Sequence, residues 1–235
     1  MTFVSARSLL VAAITFSSLL CEAQELPGRP IDSVVSIERA QALAASSVSE
    51  GGFSIVVNAD VVGHLNRFLS KPWSKKSFKA TLARMETLRP MLESATQEAG
   101  TPWELMAVPI IESEFRNPPQ SANRWRSAGL WQFTRASARA HGLRIDGKRD
   151  ERLDREKSTR AALAYLKQNR EELGSWPLAL LAYNMGPSRI KKSVASSSTR
   201  DAFEILRSGV QGGDPEYLAK VMAAALILKN PTLLD

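Results

Sequence analysis

From Val61 onward, apolar residues recur at the three- and four-residue spacings of helices that bury one face. The stretch "VVGHLNRFLSK" (61–71) predicts a short helix. Phe78, Leu82, Met85, Leu88, Leu92, Ala95 and Ala99 predict one amphipathic helix of several turns, stopped at Gly100. "TPWE" then predicts a restart, with Thr101 as N-cap, Pro102 at the first helical position and Glu104 closing a capping box. Further helices are expected at about 131–141, 155–173, 177–185, 200–208 and 216–229. In the 155–173 segment, Ala161, Ala162, Tyr165, Leu166, Asn169 and Leu173 share the inner face and the charges lie outside. Strand-like alternation is confined to "FSIVV", and there is no internal repeat. The expected fold class is all-α.

Ahead of this region the pattern differs. Arg7 precedes the uncharged run "SLLVAAITFSSLL" and then "CEAQ", the layout of a secretory signal peptide cut after Ala23. The run is too short for a permanent membrane span. Residues 1–23 are therefore expected to be a signal, 24–57 a linker or loosely attached arm rich in Ser, Ala, Glu and Gly, and 58–235 the folded domain. Cys21, the only cysteine, lies within the signal. Leu20 before it is bulkier than a bacterial lipobox usually tolerates, which weighs against lipid attachment and for a soluble, periplasmic, monomeric protein. The chain after the cut then has no thiol for disulfides or metal, and two histidines, His64 and His141, make a poor metal set. No cofactor is implied.

Charge narrows the partners. The chain carries net +7, which removal of Arg7 and Glu22 together leaves unchanged. A basic exported protein favours anionic wall polymers or membrane surfaces, and export argues against nucleic acid. "SKKSFK" and "NRWR" read as solvated basic surface.

One residue breaks the apolar pattern. In "VPIIESEF" (108–115), Glu112 falls on the same helical stripe as Leu105, Val108 and Phe115, whereas Glu114 is turned to the opposite face. An acid held against apolar walls has a raised pKa and can serve as a general acid near neutral pH. A structural glutamate bonded to a backbone amide or a basic residue explains the same position. The helix alone leaves both open.

The order of several motifs changes that balance. "ESEF" is followed by "NPPQS" (117–121), "SAGLWQF" (127–133), "KSTRAALAYL" (157–166) and "LALLAYNMGPSRI" (178–190). From about residue 60 to 230 the chain resembles the soluble-type lytic transglycosylase (SLT) family, with its lysozyme-like helical domain akin to goose-type lysozyme, and within it the membrane-bound murein transglycosylase D group. The resemblance implies cleavage of the β-1,4 bond between N-acetylmuramic acid and N-acetylglucosamine in peptidoglycan glycan strands, leaving 1,6-anhydromuramoyl ends. It implies Glu112 as the catalytic acid, and Ser121, Gln132, Tyr183, Asn184 and Tyr217 as substrate-binding residues. Trp131 and Phe133 are expected in the core, and Gly186-Pro187 reads as a helix stop. The stretch between Ser121 and Gly129 is longer than the family's, and Gly213 stands where the family has a glutamate before the tyrosine. Asp214 and Glu216 are the nearby acids. A goose-type lysozyme acting with water, and a weakly catalytic peptidoglycan-binding scaffold, are the alternatives.

Overall fold

Helices make up the regular structure of the described residues, which are 34–45, 52–121 and 126–235 of the computed structural model. The proposed signal peptide, Cys21 and all of "NRWR" but Arg126 lie outside them. In chain order the helices are α1 (Ile37–Ala45), α2 (Ala59–Leu69), α3 (Pro72–Glu86), α4 (Arg89–Ala99), α5 (Ala107–Ser113), α6 (Arg135–Ala140), α7 (Arg155–Leu173), α8 (Trp176–Met185), α9 (Pro187–Ala195), α10 (Ala202–Arg207) and α11 (Tyr217–Lys229). Among the described residues the only β pairings are isolated bridges, Ala128 with Phe133 and Ile145 with Asp150. The all-α expectation holds, and no described helix is long and apolar enough to cross a membrane.

Two helices form the centre because their sequences are apolar all round. In α11, "YLAKVMAAALILK", every residue from Tyr217 to Ile227 except Lys220 is buried. In α8, "WPLALLAYNM", seven of ten residues are buried. A helix with no polar face has to be enclosed, and α2, α5 and α8 pack around α11 while α7 and α9 pack on α8. The outer helices carry ordinary amphipathic stripes and side-chain caps: Asn58 accepts from Val61 N (3.0 Å) at α2, and Asp154 from Lys157 N (3.0 Å) at α7.

Several boundaries differ from the sequence reading. The helix expected across 78–99 is two, α3 and α4, because Pro90 has no N–H to donate and its ring clashes with a continuing turn. "TPWE" does not form a capping box. Trp103–Met106 is a 3-10 turn, Thr101 Oγ1 donates back to Thr96 O at 3.5 Å, and Glu104 is buried in an ion pair with Lys229 (2.8 Å). Gly186, at φ 93°, ends α8 and at once starts α9, so Gly186-Pro187 is a corner between two helices. Within 24–57, Val35 is buried and exchanges two hydrogen bonds with the Asn66 amide (2.7 and 3.0 Å), and Phe53 packs on Trp176. The "FSIVV" segment (53–57) has no regular secondary structure.

Candidate active site

α5 is short, and its shortness exposes Glu112. Residues 107–110 are buried in the core, with Pro109 in the first turn, where a missing N–H costs nothing. The helix stops one residue after Glu112, at two successive left-handed residues, Glu114 (φ 52°) and Phe115 (φ 55°). Their N–H groups return to Ile110 O (3.1 Å) and Pro109 O (3.2 Å), closing a Schellman-like turn without glycine. Each non-glycine residue there costs about 1–2 kcal/mol. Burial of the Phe115 ring and the hold of Arg84 Nε on Glu114 O (2.7 Å) offset that cost. Glu114 itself is half-exposed and paired with Arg84 and Arg116.

Glu112 opens into a cleft of about 940 Å³. Ser127, Gln132, Tyr183, Asn184, Asp214, Tyr165, His141 and Asn169 line the same cleft. Burial pushes the Glu112 carboxyl up to about 7, the Tyr217 hydroxyl opposes the shift, and the charge of Asp214 adds to it. The acid reading rather than the structural one fits: Glu112 has no basic partner among the ion pairs of the described residues. The Tyr183 and Tyr217 phenols, deprived of water beside that carboxyl, are held well above their ordinary range and stay protonated.

Residues 117–121 and 126–134 form one wall and are held by polar contacts. Ser113 Oγ donates to Leu130 O (2.7 Å) and Tyr183 Oη to Trp131 O (2.6 Å), which binds the wall to α5 and α8. Gly129 has φ 80°, and a Cβ there would fall 1.9 Å from Arg152 O, so backbone lies on backbone. Arg152 is fully buried and organises the wall. It grips Asp150 through two nitrogens (2.9 and 2.6 Å) and donates to Arg126 O (2.7 Å), Phe133 O (3.1 Å) and Gln120 Oε1 (3.2 Å). Gln132, itself left-handed at φ 50°, is fixed between Ser127 Oγ (2.9 Å) and Gly129 O (2.8 Å).

The expected site residues fall in three places. Glu112, Gln132, Tyr183 and Asn184 share the cleft. Tyr217 is buried beside it, with its hydroxyl toward the Glu112 carboxyl. Ser121 does not line the cleft; its N–H donates to Ser127 O (2.8 Å) and its Oγ lies 3.4 Å from Ser127 Oγ, and Ser127 is the serine of this segment that lines the cleft. The inserted residues before Ser127 leave the sequence without a marker for which serine reaches the acid. Trp131 and Phe133 are core residues, as expected, with Trp131 Nε1 on Thr159 Oγ1 (2.9 Å). The sequence reading missed the stacked His141–Tyr165 wall (ring centroids 4.0 Å apart) and Arg152, whose role no local pattern announces.

Comparison with known proteins agrees with this geometry. The family model described as "Transglycosylase SLT domain" matches residues 89–206, half of the chain. Membrane-bound lytic murein transglycosylase D of Escherichia coli (strain K12) is 30% identical over 149 residues, 63% of this chain and 32% of that protein. The chain thus spans about a third of that relative's length. A putative tributyltin chloride resistance protein of Alteromonas sp. (strain M-1) is 28% identical over 150 residues, 63% of this chain and 72% of that one. A solved structure of an inactive mutant of the lytic transglycosylase Slt from Pseudomonas aeruginosa aligns with a TM-score of 0.49 at 18% identity, covering 62% of this chain and 24% of that one. With its helical cleft and the match across half its length, the chain belongs to the transglycosylase SLT domain family.

Proposed function

We propose that the protein is a lytic transglycosylase of peptidoglycan, exported to the periplasm and working as a monomer. The observation that carries this reading is Glu112, an acid with a proton affinity near neutrality at the floor of a long cleft. Family membership and the name of the murein transglycosylase relative support it.

The reaction follows from the groups present. Glu112 donates its proton to the oxygen joining N-acetylmuramic acid to N-acetylglucosamine; the C1–O bond breaks and the glucosamine side leaves with a free hydroxyl. Positive charge develops at C1, where the sugar's own acetamido oxygen assists in place of a second protein nucleophile. Glu112, now a carboxylate, takes the proton of the muramoyl C6 hydroxyl as that oxygen bonds to C1. The product is the 1,6-anhydro end, no water is consumed, and Glu112 ends protonated as it began. Asn184 spends its Oδ1 on Asp214 N (2.8 Å), which leaves its NH₂ group for a sugar acetamido oxygen. Tyr183 and the Tyr165–His141 pair offer ring surface to sugar faces.

Digestion of purified sacculi, with mass spectrometry of the fragments, tests the reading. Anhydromuramoyl ends are expected, and Glu112→Gln should lower their rate of formation by about 10³-fold or more while the protein stays folded. Reducing ends would make the enzyme a hydrolase. Unchanged lysis by the variant would remove Glu112 as the acid, and binding without lysis by either protein would leave a wall-binding scaffold.

A further inference from the structure

The chain returns to the cleft through "GVQGGDPE" (209–216), and glycine sets its course. Gly212 and Gly213 are left-handed, at φ 97° and 69°. A Cβ on Gly213 would come within 2.4 Å of Asn184 Oδ1 and 2.6 Å of Met185 Cγ, so the segment lies directly on the end of α8 and no side chain fits at 213. The first side chain that does fit belongs to Asp214, and it lines the same cleft as Glu112.

Asp214 is held on every side. Its N–H donates to Asn184 Oδ1 (2.8 Å), its Oδ1 accepts from Glu216 N (2.9 Å), and its Oδ2 pairs with Lys220 Nζ (2.7 Å) from the first turn of α11. Glu216 faces away. It reaches Lys220 (3.3 Å), Arg67 (3.7 Å) and His64 (3.8 Å) and lines a separate hollow of about 330 Å³ beside α2 and α10. Lys220 thus stands between two acids, of which one belongs to the cleft.

A carboxylate with both oxygens engaged by donors is a well-placed fixed charge. We propose that Asp214 is a positioning residue of the cleavage reaction, a fixed negative charge in the cleft with Glu112 whose strength there is set by Lys220. The proposal rests on Glu112 being the acid of the reaction above. Before cleavage the charge favours the protonated form of Glu112, and as the glycosidic bond breaks it favours the positive centre at C1. The other groups facing Glu112 are neutral, the phenols of Tyr183 from α8 and Tyr217 from α11. Along the cleft stand His141, Glu172 from α7, and Arg189 and Lys191 from α9; His64 and Arg67 of α2 meet Glu216 on the other side.

The test reads Glu112 directly. The carboxyl ¹³C resonance of Glu112, assigned by its loss in Glu112→Gln, is titrated in the full chain and in two variants. Asp214→Asn should lower the Glu112 midpoint by about half a unit or more, and Lys220→Met, which unmasks Asp214, should raise it by a similar amount. The alkaline limb of kcat/KM on sacculi should move the same two ways. Midpoints that stay fixed, or move in one direction in both variants, overturn the proposal and leave Asp214 a loop anchor. If Asp214→Asn does not fold, Lys220→Met decides alone: an upward shift supports the proposal and no shift overturns it. Opposite shifts in a protein that cuts no glycan uphold the electrostatic arrangement and overturn the proposed function.

Discussion

The pair α8 and α11 and the wall of residues 117–121 and 126–134 are joined through Tyr183 and the Trp131 carbonyl, yet they are stabilised by different physics. The helices are held by volume: their buried residues are almost all aliphatic or small, and one apolar residue can stand for another of like size at modest cost. The wall is held by direction. Its described part has left-handed Arg126 and Gln132, a glycine that touches a carbonyl, and a buried guanidinium aimed at two backbone oxygens. A core of the first kind tolerates change and fixes nothing finely. A wall of the second kind tolerates little, and places Ser127 and Gln132 beside the acid.

Substitutions in the two regions should separate these behaviours. The largest loss is expected for Arg152→Ala, which leaves Asp150 and the Arg126 and Phe133 carbonyls without their donor; about 4 kcal/mol should disappear from the urea unfolding curve, together with cleavage activity. Leu226→Ala, in the middle of α11, should cost about 3 kcal/mol by opening a cavity, while the folded fraction keeps its kcat. If Leu226→Ala lowers kcat as much as stability, the separation between volume and direction fails. Gly129→Ala should cost about 2–3 kcal/mol through the clash with Arg152 O. Its kcat should fall tenfold or more, because the shift displaces Gln132 and the carbonyl that Tyr183 holds.

The smallest effect is a gain. The Glu112 carboxyl is raised from 4.5 to about 7 on folding, so between those pH values the folded state holds a proton that the unfolded chain has released. Stability contributed by this group is complete below about pH 4.5, falls as pH rises, and is lost above about 7. Glu112→Gln removes that dependence. The variant should match the parent at pH 4 and exceed it by about 2–3 kcal/mol at pH 8, as read from denaturant midpoints at both pH values. Equal stability at pH 8 would mean that the carboxyl is hydrated.

The same contrast decides what was legible in the sequence. Helices α2, α7, α8 and α11 follow from spacing and caps, since burial of a stripe or of a whole helix writes itself into every third or fourth position. Glu112 was visible because an acid interrupts such a stripe, and the motif order supplied Gln132, Tyr183 and Asn184. Pro90 and the Gly186 corner carried local signals that the longer periodicities outweighed. Arg152 carried none: its partners are Asp150 and residues 19 or more positions away in the chain, and nothing in "DERLD" distinguishes it from a surface arginine. Asp214 was named beside Glu216, and only the turn at Gly212-Gly213 separates the side of Lys220 that meets the cleft from the side that does not.

Because Tyr217 opens α11 and Asp214 lies in the turn just before it, the floor and one corner of the cleft are supplied by residues translated some hundred positions after Glu112. A chain still emerging from the ribosome has its acid but no enclosure to keep that acid charged with a proton. The raised proton affinity of Glu112 should therefore appear only once α11 has docked.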